Sequence, residues 1–200
     1  MVSEPKERNQ PSGLISGSGK FESPPFAGPL IIYELTGLLN TTFGLTHCPG
    51  RNDRHSEAKL WNRDLLEDFL KIRNWGADVL ISLNENQEFQ QLGVPEFPEL
   101  ARQQNFDWYH LPIQDFSAPD IIFEDAWLKN KEAILELVNN GSKIIIHCAA
   151  GLGRTGTFTA KLLTKFGWDP QVAINKVRQV RPGAIERQIQ EKYIFNKKQL

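Results

Sequence analysis

Ile144-Ile145-Ile146-His147-Cys148-Ala149-Ala150-Gly151-Leu152-Gly153-Arg154-Thr155-Gly156 decides the fold of this 200-residue chain. Three consecutive β-branched residues leading into His147 and Cys148 read as a strand buried on both faces. Small residues follow, and a helical pattern runs from Arg154 to Phe166. A strand, a glycine-containing loop and a helix in that order seat ligands in α/β proteins, beyond the carboxyl end of the strand. A thiol and a guanidinium, Cys148 and Arg154, lie six positions apart there, with nothing bulkier than Leu152 between them.

That spacing suits phosphate. A phosphate group presents several acceptor oxygens, and a loop with its N–H groups turned inward satisfies them without bulky side chains. Ala149, Ala150, Gly151, Leu152 and Gly153 fit such a cradle, and the two glycines permit the positive φ that a tight curl needs. The helix that follows adds unsatisfied N–H groups and a favourable dipole. Arg154 contributes a planar fork able to grip two oxygens at once. The same positive surroundings favour the thiolate, which is the attacking form of Cys148. Thr155 can donate its hydroxyl to the sulfur, first holding the thiolate and later helping it leave. The plainer alternative is an inert buried Cys at a strand end. Arginine six positions on, a hydroxyl seven positions on and the preceding strand together argue against it.

Attack on phosphorus expels an oxyanion, which needs a proton donor. Asp115 is the preferred acid. It follows an apolar stretch and precedes Ser117, Ala118 and Pro119, in a segment able to move over a pocket. Asp120 is the rival, but it follows Pro119 at an apparent helix start, where an acidic residue serves the helix end. Once ionised, the same carboxylate can activate water.

Residues 1–28 stand apart, rich in Pro, Gly and Ser, and read as a flexible arm. Residues 29–200 read as a single domain. Residues 30–33 and 43–46 pattern as short strands around a polar turn. Apolar residues from Leu60 to Ile72 recur at helical spacing and stop near Gly76. Strands are expected over 78–83, 107–111 and 143–147. Helices are expected over 85–92, 96–104, 119–138, 154–166, 170–180 and 187–197. Strands alternating with helices predict an α/β fold with a mainly parallel central sheet.

Composition narrows the functional classes. Charged residues make up 24% of the chain and the net charge is −1, so no broad basic field exists to attract nucleic acid or an anionic membrane. No apolar run is long enough to span a bilayer, and the amino terminus lacks an apolar signal core. Two cysteines, Cys48 and Cys148, do not form a disulfide framework, which suits a reducing, cytoplasmic setting. His47, His55 and His110 lack metal-ligand spacing, so neither a metal nor another cofactor is expected. Cys48 also follows an expected strand. It reads as an ordinary small buried residue, with a reversible disulfide to Cys148 as the alternative.

In the segment His147–Thr155 the chain resembles the cysteine-dependent protein tyrosine and dual-specificity phosphatases, marked by His-Cys, five residues, Arg and Ser/Thr. The likeness extends to Leu111–Asp120, similar to the general-acid loop of the compact dual-specificity type, and to Val180–Gln190, similar to the helix start that closes such domains. Gly44–Arg51 resembles the cyclin-dependent-kinase-associated phosphatase subgroup. The resemblance implies Cys148 as nucleophile, Arg154 as phosphate clamp and Asp115 as acid and base. It also implies a structural role for His147, ordering the loop from behind. Gln190 falls where related enzymes often carry Gln and could position the hydrolytic water; an exposed helix residue is the alternative.

The resemblance implies a monomeric phosphatase acting on phosphotyrosine, and on phosphoserine or phosphothreonine, of a protein substrate that could itself be a kinase. Phosphoinositides or inositol phosphates are the rival substrates. Relatives active on them often carry Lys inside the loop, and this loop has none. A 5′-RNA phosphatase is disfavoured by the neutral charge balance. A phosphate-binding adaptor without turnover is the non-enzymatic alternative. Arg51, Arg54 and Lys59 read either as a solvated charge run or as recognition of an acidic substrate.

Overall fold

The computed structural model describes residues 28–52 and 61–196. The arm expected over 1–28 lies outside these residues except for Gly28, and so do Arg54, His55 and Lys59. Among the described residues, five strands form one sheet: β1 (Tyr33–Leu38), β2 (Thr41–His47), β3 (Val79–Ser82), β4 (Asp107–His110) and β5 (Lys143–Cys148). Their spatial order is β1-β2-β5-β3-β4. Only β1 runs antiparallel, pairing with β2; the β2–β5, β5–β3 and β3–β4 pairs are parallel. The mainly parallel α/β sheet expected from the sequence is present.

Among the described residues, seven helices cover the sheet: α1 (Leu65–Trp75), α2 (Asn86–Gln91), α3 (Phe97–Arg102), α4 (Ile121–Asn139), α5 (Gly153–Lys165), α6 (Pro170–Val180) and α7 (Gln188–Phe195). Alternation along β5 divides the core in two. Ile144, Ile146 and Cys148 join residues of α4, α5, α6 and α7 on one face. Ile145 faces the other way, with Leu65, Phe69, Ile72, Phe89 and Phe97 of α1, α2 and α3. All three β5 isoleucines are fully buried, as a central strand between two helical layers requires.

Two boundaries differ most from the sequence reading. The first strand begins at Tyr33 rather than ending there. Ile31 gives its carbonyl to the Thr46 hydroxyl at 2.8 Å instead of to a strand ladder. The observed strand contains Gly37 at φ 111° and a bulge between Leu35 and Leu38, which break the alternation a sequence pattern relies on. Helix α1 begins at Leu65, not near Leu60, because Asp64 caps it: its carboxylate accepts from the Glu67 N–H at 2.9 Å. Among the described residues, no helix is long and apolar enough to cross a membrane.

Candidate active site

Strand β5 is the middle of the sheet and delivers Cys148 to its carboxyl end. Its register sets His47 beside Cys148 on one side and Ser82 beside His147 on the other. The chain then curls through 149–152 into α5. Gly151 has φ 69°, and a side chain there would place its Cβ 2.4 Å from the Thr46 carbonyl oxygen, so only glycine fits. The loop carbonyls are taken by groups around it. Ala149 O accepts from Cys48 N and from Arg51 Nη1 at 3.0 Å. Arg181 Nη2 and Nε reach Ala150 O and Gly151 O, both at 3.3 Å. Leu152 O accepts from Gly156 N and Ile185 N. Arg51, read from sequence as a substrate or solvent contact, therefore braces the loop, with its guanidinium also stacked on Trp61.

Arg154 is 1% exposed. Its Nη1 donates to Glu88 Oε2 at 2.5 Å and to the Ile113 carbonyl at 2.9 Å. Its Nη2 donates to Glu88 Oε1 at 2.9 Å and lies 3.0 Å from Asp115 Oδ1. The Nε is buried without a partner. Burial works against the guanidinium charge, but the hydrogen bonds it donates to Glu88 and the charges of Cys148, Glu88 and Asp115 outweigh it and raise the Arg154 pKa. Glu88 itself is held at the start of α2, where the Glu85 N–H donates to its Oε2 at 2.7 Å. Its fork-to-fork pairing with Arg154 fixes the plane of the guanidinium. Sequence reasoning missed Glu88, because nothing local to α2 points to a loop more than sixty positions away.

Asp115 sits in a turn with its side chain half exposed, on Arg154 and on the Phe116 N–H. The next residue, Phe116, has φ 55° and lies beneath the Arg187 guanidinium. Asp120 is the N-cap of α4, with its Oδ1 accepting from Ile122 N and Phe123 N. That is the helix-end role its position suggested. Thr155 is buried, but its hydroxyl has no hydrogen-bond partner, so the bond to the Cys148 sulfur foreseen from sequence is not formed. Cys148 is 3% exposed.

Gln190 is completely buried rather than an exposed helix residue. Its amide nitrogen donates to the Ser117 carbonyl at 3.1 Å, and its amide oxygen accepts from Arg187 N at 3.1 Å. It thus ties the Asp115 loop to the start of α7. His147 is buried behind the loop, with Nε2 2.6 Å from the Ser82 hydroxyl, which also accepts from Trp108 Nε1. Cys48 and Cys148 are both free and belong to the cores on opposite faces of the sheet. The two thiols are nonetheless near enough for the charge of Cys148 to act on Cys48. Burial pushes the Cys48 thiol pKa well up.

His47 and His147 are held neutral by burial above all. His47 is lowered to about 2, with Arg63, Arg181, His147 and Arg51 adding to the effect. His147 is lowered to about 3, with His110 and Arg154 adding and a backbone hydrogen bond at Cys148 opposing. Both folded values lie below the usual 6.5, so the unfolded chain takes up these protons first as pH falls. Their stabilisation is complete above pH 6.5 and is lost progressively below it, by about 1.4 kcal/mol per pH unit for each histidine. Urea unfolding between pH 6.5 and 4.5 should therefore be less steeply pH-dependent in His47→Gln by about one proton. An unchanged slope would contradict the neutral, buried state of His47.

Comparison with known proteins agrees with this arrangement. The family described as "Tc-R-P: Polymorphic toxin system, DSP-PTPase phosphatase" matches residues 58–168, and the chain belongs to this DSP-PTPase phosphatase family. Cyclin-dependent kinase inhibitor 3 of Mus musculus is 30% identical over 134 residues, 66% of this chain and 62% of that protein. The chain thus spans somewhat under two thirds of the length of that relative. Among solved structures, kinase associated phosphatase with its catalytic-site cysteine changed to serine superposes with a TM-score of 0.71 at 25% identity, covering 84% of this chain and 93% of that one. Tk-PTP in its active form gives a TM-score of 0.57 at 27% identity, covering 81% and 92%.

Proposed function

We propose that the protein is a phosphomonoester hydrolase acting on phosphorylated proteins through a cysteinyl-phosphate. The observation that carries this reading is the 3.0 Å contact between Asp115 and Arg154. It brings a proton donor from a separate segment onto the guanidinium that closes the Cys148 loop. The Cys148 thiolate attacks phosphorus and forms an S–P bond while the bond to the leaving oxygen breaks. Asp115, as the acid, gives its proton to that oxygen. Asp115, now a carboxylate, takes a proton from water, whose oxygen attacks phosphorus. The S–P bond then breaks, inorganic phosphate forms and the thiolate is restored. Arg154 and the N–H groups of 149–154 stabilise the charge on the equatorial oxygens. Thr155, with its unpartnered buried hydroxyl, has a donor available for the departing sulfur. No step calls on a metal or another cofactor.

Phosphotyrosine and phosphothreonine side chains are the proposed substrates, and the likeness to kinase associated phosphatase supports a phosphorylated kinase among them. The loop contributes no cationic side chain besides Arg154, which favours one phosphate over the clustered phosphates of inositol lipids. A reducing compartment such as the cytoplasm suits the thiolate. The chain is proposed to act as a monomer, with 29–200 as its catalytic domain and 1–28 as an appended arm.

The test is pre-steady-state hydrolysis of an aryl phosphate, with phosphopeptides and inositol phosphates assayed from the same preparation. A burst of phenol release blocked by vanadate, and faster turnover of phosphopeptides, are expected. Phosphopeptide binding without any phosphate release would make the protein an adaptor instead.

A further inference from the structure

Gly153 opens α5, so its N–H is one of the first-turn donors that no helical carbonyl can reach. That N–H donates to Glu186 Oε2 at 2.9 Å. The carboxylate lies hard against the loop: a Cβ on Gly153 would fall 2.5 Å from Glu186 Oε2 and 2.9 Å from Gln190 Nε2. Glycine at 153 therefore makes room for Glu186. The approach is also built from the other side. Gln190 pins the Arg187 N–H and the Ser117 carbonyl, which fixes the backbone immediately after Glu186 relative to the Asp115 loop.

Donors on two consecutive residues, 153 and 154, thus engage carboxylates from elsewhere in the chain. The two carboxylates differ in what the reaction asks of them. Asp115 has a proton to deliver and must leave Arg154 to do so. Glu186 has no such duty, yet its charge sits on a donor that the proposed phosphate cradle uses. A phosphate oxygen and Glu186 cannot both take the Gly153 N–H at full strength, and two anions at that distance repel.

We propose that Glu186 is a specificity-determining residue, a negative lip whose carboxylate competes with phosphate oxygens for the Gly153 N–H. It thereby weakens the hold on free phosphate and on substrates with crowded phosphates. This rests on reading the Cys148 loop as a phosphate site. The lip helps product leave, because Glu186 can reclaim its donor as phosphate departs. It also selects a single phosphate on a protein side chain over the dense charge of an inositol polyphosphate.

The experiment is inhibition of aryl phosphate hydrolysis by inorganic phosphate in the full chain and three variants. Glu186→Gln keeps the size and an acceptor oxygen but removes the charge. Its inhibition constant for phosphate should fall about three- to tenfold, the scale of a screened, exposed charge. Glu186→Ala should shift the same way, and Glu186→Asp, which keeps the charge, should stay within about twofold of the parent. Glu186 is exposed, so the variants should melt with the parent. Hydrolysis by the parent with an unchanged or weaker phosphate constant in both Gln and Ala variants would overturn the role of Glu186 alone. Absence of hydrolysis by the parent would overturn the phosphatase reading and this inference with it.

Discussion

Cys148→Ser is expected to abolish turnover of an aryl phosphate, with a loss of about 10⁴-fold or more. The substitution exchanges a thiol for a hydroxyl of similar size at a site only 3% exposed. The loop's shape does not depend on the sulfur. It depends on Gly151, on the Arg51 and Arg181 contacts to its carbonyls and on the Glu88–Arg154 pairing, all of which the variant keeps. Phosphate affinity should therefore survive while chemistry stops, because an alcohol at neutral pH supplies almost no oxyanion and is a poor leaving group from phosphorus. The check pairs a rate assay with calorimetric binding of a phosphotyrosine peptide. Lost turnover with binding kept within a few fold is the expected pattern. Parent-like turnover would place the nucleophile elsewhere.

The sheet and the loop were legible because their signals are local. The Ile144–Ile146 run, the glycines and the helical pattern after Arg154 all lie within some twenty positions, and the buried central strand enforces each of them. What was not legible depends on which segments meet. Glu88 looked like part of a short, polar helix, and only the fold brings α2 under Arg154. The placement of Cys48 required the β2–β5 register. His47 pairs with Cys148 at the end of β2, and Cys48, just past that end, packs into the other core. Gln190 was within reach of sequence reasoning. It shares a helical face with Tyr193 and Ile194, both buried, at spacings of three and four, but the nearby Gln188, Glu191 and Lys192 suggested exposure. Glu186 carried no signal at all, since its meaning comes from one N–H on a different element.

Asp115→Ala is the second large effect, and its size should depend on the leaving group. A general acid contributes about 10²- to 10⁴-fold when the departing oxygen needs a proton. An alkyl phosphate, like phosphothreonine, releases a strongly basic alkoxide, so the full loss is expected there. A nitrophenyl phosphate releases a stable phenolate, and the loss should shrink accordingly. A plot of log kcat/KM against leaving-group basicity should therefore be shallow in the parent and steep in Asp115→Ala. The same variant removes the carboxylate that lies 3.0 Å from Arg154 Nη2, so the phosphate inhibition constant should fall as the rate falls. A purely structural role would not produce that opposite movement. Asp120→Ala supplies the contrast. Asp120 accepts two N–H groups at the start of α4, so its loss should cost about 1 kcal/mol of stability through the cap and leave the leaving-group slope as it was. If Asp120→Ala alone steepened the slope while Asp115→Ala did not, the proton would come from Asp120, and the contact between Asp115 and Arg154 would be only an ion pair.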